Sequence, residues 1–483
     1  MWPFSLFSRP KGLAESAAPV FFTNTLSGKK DLFVPLKAGM VSMYSCGPTV
    51  YGKQHIGNLK APLFADLVAR TLAASGFHLR RVINITDVGH MVGDADHGED
   101  KMAKGAREAN ASPKEVADRY TTMFLTDLNL MNIETENVLF PRATEHIPAQ
   151  IEMIKVLEKK GFTYRAQDGI YFDTSKFPNY GKLGGADKAE LLPGARVEKV
   201  AGKKSGRDFV LWRDAGPHDL QIWDSPWGRG NPGWHIECSA MSKVLLGNEL
   251  DIHTGGIDHI PVHHNNEIAQ SESANGRPFV RYWMHEAFVN VEDEKISKSL
   301  RNDVYLSDIT ERGLHPLSLR YFFLQAHYRT PLSFSWEAIA AANEALRRLW
   351  RLAMEIKKEA DGQEDSEIRL RFVSLMRDDL STPQALAALW DALKTDELSP
   401  EQKWALLETA EPYLGLSLTD PPIAMPTETE DLPEHIQALV YERDLARSSK
   451  DWQKADELRY QLQERGYRVD DGPSGTLLTK DAE

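Results

Sequence analysis

The sequence predicts an α/β protein: a doubly wound parallel sheet split by an insertion, followed by a helical domain and a small mixed C-terminal module. Three observations lead there. A strand–loop–helix–strand pattern occupies residues 41–85, and β-prone runs return much later, at 250–253 and 287–291. Beyond them, from Trp336 to Leu407, Ala, Leu, Arg, Lys and Glu dominate with few Gly or Pro. Parallel strands need helical crossovers, so this alternation favours a wound sheet over a sandwich or a bundle.

Residues 41–45 form the first β-prone run, which Gly47 and Pro48 break just after Cys46. From Ile56, apolar residues recur at helical spacing through Leu59, Leu63, Leu67 and Leu72, and Gly76 supplies a stop. Pro62 argues for a helix starting later than Ile56, because proline is tolerated best in a first turn. Residues 82–85 make the second strand, ending in Thr86 and Asp87. The unit reads as βαβ, with a chemistry-bearing loop at the end of its first strand. Helix formers fill 116–128 and, after Pro148, 149–160. Strand-like 169–173 and 208–212, set among turns, read as an insertion between the two halves of the sheet domain. Prolines and acidic residues over 411–433 suggest a linker. Residues 434–465 are helix-prone and turn at Gly466 into a hairpin of 467–469 and 476–479. No repeat of fixed period is visible.

Length and composition set the outer limits. The 483 residues suffice for about three or four domains. An apolar fraction of 42% with 26% charged residues excludes a disordered chain. No apolar run reaches the roughly 18 residues of a membrane span, and the N-terminal segment lacks the apolar core of a secretory signal. A soluble cytoplasmic protein is expected. The net charge of −13 argues, taken alone, against nucleic acid as a partner. The two cysteines, Cys46 and Cys238, are not expected to form a disulfide in a reducing compartment.

Their surroundings suggest another use. Cys238 follows Pro232-Gly233-Trp234-His235-Ile236-Glu237, and His263 and Glu267 lie four apart further on. If 263–274 is helical, those two side chains share a face. Thiolate, imidazole and carboxylate suit Zn²⁺, although a surface His–Glu pair has the same spacing. A second motif, His55-Ile56-Gly57-Asn58, stands at the expected helix N-terminus, where free N–H groups and the helix dipole favour phosphate. A third, Lys295-Ile296-Ser297-Lys298-Ser299, puts two cations in one loop, either as a phosphate clamp or as a solvated surface.

In their order and spacing these motifs resemble the cysteinyl-tRNA synthetases, a family of class I aminoacyl-tRNA synthetases. The resemblance rests on Cys46-Gly47-Pro48-Thr49 with His55-Ile56-Gly57, on Gly233 to Ser239, on Gly255-Gly256 and Asp258 with His263-His264 and Glu267, and on the lysine loop. It extends to Lys450–Arg459 and so covers nearly the whole chain. It implies a Rossmann-like catalytic domain in two halves, 20–120 and 223–300, around a connective insertion at 121–222. A stem-contact region at 301–340, a helical anticodon-binding domain at 341–420 and a module at 434–483 would follow. It implies one zinc ion on Cys46, Cys238, His263 and Glu267, binding the thiolate of substrate cysteine, with Trp234 and Cys46 beside the amino acid. It implies ATP, with Mg²⁺, against Gly47, Thr49, His55, Gly57, Gly255, Gly256, Asp258 and Lys298. His55, Asn58, Lys295 and Lys298 would stabilise the reacting phosphates. Partners would be L-cysteine and tRNA(Cys), with the chain a monomer.

Three positions depart from the family pattern: Asn58 stands for a second His, Asn265 for Glu and Ile296 for Met. A related ligase that joins cysteine to an amino-sugar is the main competing expectation. A zinc hydrolase would leave the lysine loop unexplained, and a non-catalytic RNA-binding relative would not need His55 or the lysines. If tRNA is the acceptor, Arg347, Arg348 and Arg351 should share a face with the mouth of the active site, the acidic excess lying elsewhere.

Overall fold

A computed structural model describes residues 19–89, 101–184, 202–217, 219–291, 294–295, 303–362, 364, 366–422, 432–472 and 475–480. Its centre is a five-stranded sheet in the order Val280–Glu286, Leu250–Gly256, Met40–Ser45, His78–Ile83, Val138–Leu139. Every neighbouring pair is parallel. The first of these strands in the chain lies in the middle, so the order reverses between Met40–Ser45 and Leu250–Gly256. Wound sheets bind ligands outside the carboxyl ends of the strands at such a crevice. The expected Rossmann-like class is therefore the observed one.

The sheet is buried on both faces. One packs against the helix Ile56–Ala74 and shares a continuous apolar core with the helical region, including Leu63, Phe64, Leu319, Leu346 and Leu406. The other packs on the helices Ile147–Lys159, Trp234–Leu246 and Asn265–Asn275. The insertion is an antiparallel sheet of Thr163–Ala166, Gly169–Phe172, Phe209–Asp214 and Gly230–Pro232. The strand Val138–Leu139 falls within 121–222 but pairs in the main sheet. After the sheet come the helices Leu317–Leu324, Trp336–Glu359, Glu367–Arg377, Thr382–Lys394 and Pro400–Leu414. The helices Glu434–Ser448 and Trp452–Gln463, with the hairpin Tyr467–Gly472 and Gly475–Lys480, make a module with its own small core. No helix among the described residues is long and apolar enough to cross a membrane.

Four expectations need correcting. The helix does begin at Ile56, with Pro62 inside it. Its first turn is pinned by Ile56 N donating to the Val304 carbonyl at 2.8 Å and by Asn58 N donating to His55 Nδ1 at 3.2 Å. The carbonyl that Pro62 leaves without its helical partner belongs to Asn58, an exposed residue within reach of water. The fifth strand is Val280–Glu286, not 287–291: Ala287 N donates to the Tyr328 carbonyl at 2.9 Å and leads the chain off the sheet. Val289–Val291 then joins a separate small sheet with Leu332–Phe334.

Nor does a linker begin at 411. The last helix of the region runs through Pro412, and the Glu411 carboxylate accepts from Ser417 N at 3.0 Å and Leu418 N at 2.7 Å, seating Leu416 and Leu418 in the core. Residues 423–431 of the expected linker lie outside the described ones. Finally, Arg347 and Arg351 do not form an open basic face. Both pair with Asp470, at 3.8 and 3.0 Å, and so tie the C-terminal module to the helix Trp336–Glu359. Arg348 lies over the Trp390 ring.

A buried ionic knot joins the catalytic sheet to the helical region. Asp66 accepts from Arg70 Nε at 2.7 Å and from Arg320 Nη2 at 2.8 Å, with Arg81 at 3.7 Å. Arg320 also donates to the carbonyls of Leu414, Met131 and Asn132 at 2.6, 3.1 and 3.0 Å.

Candidate active site

The strand Met40–Ser45 ends one residue before Cys46, whose N–H donates to the Thr254 carbonyl at 3.2 Å and holds it at the crevice. Gly47 is forced by contact rather than by dihedral angle: a Cβ there would sit 1.7 Å from the Asn84 carbonyl oxygen. Its N–H donates to Asn84 Oδ1 at 2.9 Å. Cys238 arrives on the helix Trp234–Leu246, which starts where Gly233 presses against the insertion. A Cβ on Gly233 would lie 2.1 Å from the Val210 carbonyl oxygen, and Gly233 N donates to the Leu211 carbonyl at 3.0 Å.

His263 and Glu267 meet as the sequence suggested, but not on one regular helix. A wide π-helical turn, Ile260–His264, precedes Asn265–Asn275. Such turns often accompany functional sites. His263 Nε2 lies 3.0 Å from Glu267 Oε1, and Cys46 Sγ lies 3.9 Å from the same oxygen. Cys46, Cys238, His263 and Glu267 are buried with one ligand atom each inside 4.8 Å of all the others, and this group can hold a metal ion. Asn265, one of the departures, bonds the Leu183 N–H and the Ile260 carbonyl at 3.1 and 2.7 Å, bracing the wide turn.

Sequence reasoning missed the histidines around this group. His253 Nε2 lies 3.0 Å from Glu267 Oε2, and His264 Nε2 lies 3.4 Å from Cys46 Sγ. Together with Cys46 and Glu267 they form a second, overlapping group of possible ligands. The His263 ring is oriented by His235 at 2.9 Å and by Trp234, whose ring centre is 4.2 Å away. The only available signal was the His263-His264 doublet; His253 lies inside a strand read simply as apolar.

Electrostatics sets these groups apart. Burial raises the Glu267 carboxyl, but His253 and His263 outweigh it and hold it at about 2. A hydrogen bond with Cys46 brings Cys238 down to about 7 despite burial, whereas burial and the neighbouring Cys238 push Cys46 well above the usual thiol range. Burial lowers His263, yet Glu267 and Cys238 raise it to about 10. Burial, followed by the charge of His253, pushes His264 and His285 well below the usual imidazole range. Two thiols and a carboxylate that compete for one imidazolium are a donor set matched to a divalent cation.

Of the residues expected at the nucleotide, those described stand at or near the carboxyl ends of the central strands. His55 caps the helix Ile56–Ala74, with Gly57 and Asn58 in its first turn. Asn58 Nδ2 donates to Gln54 Oε1 at 2.9 Å. Thr49 bridges to Thr86 beyond the strand ends. Gly255 and Gly256 end the strand beside Met40–Ser45, and Asp258 stands exposed on the next turn. Lys295 closes a short strand, its side chain lying outside what is described, and Lys298 falls wholly outside the described residues.

Comparison with known proteins agrees with this geometry. Residues 32–344 match the family model for the class I (C) tRNA synthetase catalytic domain, and 429–476 match the cysteinyl-tRNA ligase anticodon binding domain. Cysteine–tRNA ligase 1 of Burkholderia lata is 46% identical over 465 residues, covering 95% of this chain and 97% of that one. The cysteine–tRNA ligase of Treponema denticola is 40% identical, covering 95% and 99%. Mycobacterium tuberculosis methionyl-tRNA synthetase, solved with methionyl-adenylate, shares the fold at a TM-score of 0.56 and 16% identity, over 78% of this chain and 92% of that one. With both segments matched and relatives this close over nearly its full length, the chain belongs to the cysteine–tRNA ligases of the class I aminoacyl-tRNA synthetases.

Proposed function

We propose how the cysteine–tRNA ligase activity of this chain is divided among its residues. The observation that carries the reading is the buried convergence of Cys46, Cys238, His263 and Glu267 at the switch point of the sheet. Zinc fits these donors, since thiolate and imidazole are its preferred partners and the group offers a single carboxylate rather than the oxygen-rich set that Mg²⁺ or Ca²⁺ takes. When bound, zinc supplies a soft Lewis-acid position that takes the thiolate of substrate cysteine, a bond serine and alanine cannot make.

The chain's own groups then position the reaction. Trp234, its ring tilted against His263, walls the amino-acid side chain and excludes water. The cysteine carboxylate attacks the α-phosphorus of ATP and pyrophosphate leaves. No covalent enzyme intermediate is needed, so orientation and charge stabilisation supply the rate. His55, Asn58 and the helix N-terminus behind them face the phosphates, with Lys295 and Lys298 neutralising charge as the leaving group departs. The backbones at Gly47, Gly57, Gly255 and Gly256 allow close approach, Thr49 adds a hydroxyl, and Asp258 accepts from a ribose hydroxyl; Mg²⁺ accompanies ATP. The terminal adenosine of tRNA(Cys) then takes cysteine from the adenylate and AMP leaves.

The anticodon-binding match at 429–476 supports tRNA over an amino-sugar as acceptor, and it supports anticodon contact by the C-terminal module rather than by the helices of 341–420 alone. The test is ATP–pyrophosphate exchange with cysteine against serine, with zinc counted in the same sample. We expect exchange with cysteine alone and one zinc per chain; equal exchange with serine, or full activity without zinc, rejects the reading. Lys298→Ala should slow exchange by about 10²-fold or more while leaving bound zinc unchanged.

A further inference from the structure

A buried carboxyl beside the nucleotide residues has no role in the scheme above. Gly256 and Glu286 are register partners at the carboxyl ends of adjacent strands. A Cβ on Gly256 would lie 2.4 Å from Asp258 Oδ1 and 3.6 Å from Glu286 Oε1, so two carboxyls converge on one bare stretch of backbone. They differ in setting. Asp258 is exposed, whereas Glu286 is only 5% exposed and its Oε2 has no hydrogen-bond partner among the described residues. The cation facing it is engaged elsewhere: Lys60 Nζ donates to the Ala287 carbonyl at 2.7 Å.

Buried polar atoms are normally paired, so an orphan at the carboxyl end of a sheet strand, beside the bare backbone of Gly256, marks a place where a ligand can supply the partner. Burial, reinforced by Asp258 and opposed by Lys60, pushes Glu286 up to about 8. At neutral pH it is a carboxylic acid, offering one donor beside one acceptor. Adenine presents the complementary edge, the 6-amino donor beside a ring-nitrogen acceptor. A ribose diol calls instead for an ionised acceptor, the part already given to Asp258.

We infer that Glu286 is a specificity residue that reads the adenine edge of ATP, pairing with the 6-amino group and the adjacent ring nitrogen. The inference rests on the placement of adenosine over Gly255, Gly256 and Asp258. Glu286→Gln keeps one donor and one acceptor in the same shape, whereas Glu286→Ala removes both.

The experiment is ATP–pyrophosphate exchange by the full chain, comparing ATP with purine riboside 5′-triphosphate, which lacks the 6-amino group. The wild-type protein should prefer ATP by at least about 100-fold in kcat/KM. Glu286→Ala should bring that preference below about tenfold, mainly through KM for ATP, and Glu286→Gln should stay within about threefold of wild type. Equal losses on both nucleotides in Glu286→Ala would show a purely structural role and overturn the inference. So would an unchanged preference, and so would Glu286→Gln behaving like alanine while fully folded. Asp258→Ala, assayed with ATP against 2′-deoxy-ATP, tests the adenosine placement separately. Loss of that preference with an intact base preference in Glu286→Ala rejects the Glu286 assignment alone; no change in either variant rejects the placement as well.

Discussion

Two of the buried charge clusters among the described residues are built on opposite principles. At Asp66, one carboxylate meets Arg70, Arg81 and Arg320, and backbone carbonyls take further donors of Arg70 and Arg320, while Arg81 Nη2 has no partner among the described residues. That cluster surrounds its carboxylate with protein cations, and it fastens the catalytic sheet to the helical region. At Cys46, Cys238, His263 and Glu267 the donors are mostly soft or acidic, and one imidazolium is shared among them. The difference teaches how to tell a structural knot from a ligand site. The first pairs its one carboxylate with protein cations; the second leaves its donors in competition until a cation arrives.

The sharpest way to break the comparison is Cys238→Ser. We expect metal content to fall from one per chain to near zero, and cysteine-dependent exchange to drop by about 10³-fold or more. Metal analysis beside the exchange assay decides it, since a variant that keeps both would return the cluster to structural status. Asp66→Asn should do the reverse. It strands buried guanidinium groups and should cost about 3–5 kcal/mol in denaturant unfolding, with metal content per folded chain unchanged.

The third test uses pH. Asp66 is held at about 2 by its arginines despite burial, against roughly 3.9 in an unfolded chain. Its contribution is therefore complete above about pH 4 and is lost as pH falls toward 2, of order 2–3 kcal/mol in all. Unfolding curves at pH 5 and pH 3 should show a steeper loss in the wild-type protein than in Asp66→Asn; parallel losses would contradict the assignment. The smallest effect is expected at Asp470, whose partly buried pairs with Arg347 and Arg351 join only the C-terminal module to one helix. Asp470→Asn should loosen the C-terminal module by about 1 kcal/mol, read as faster limited proteolysis of that module. An effect that does not diminish in high salt would count against an ionic tether.

The two clusters also differ in how far the sequence revealed them. The metal group was legible because rare residue types carry it: there are only two cysteines, and both stand beside Gly and Pro. The arginine knot was not, since Asp66, Arg81 and Arg320 are common residues brought together from distant segments, and nothing local distinguishes Arg320 from a surface arginine. The same contrast runs through the fold. Met40–Ser45 and Ile56–Ala74 were visible from apolar periodicity, whereas Val280–Glu286 was missed because its final His285 and Glu286 are polar for the sake of the site they face. The basic run at Arg347 to Arg351 misled for a related reason. Charge on a helix can be spent inside the molecule, here on Asp470, and composition does not report the direction in which a side chain points.

The contact between Gly233 and the Val210 carbonyl bears on how this enzyme could be taken apart. The strand Phe209–Asp214 belongs to the insertion, yet it sets the start of the helix that delivers Cys238. The insertion is thus no detachable cassette. A chimera that exchanges it with a relative's must carry the matching stretch from Phe209 through Gly233 as one piece, or the donor backbone will misplace a metal ligand that lies outside the exchanged segment.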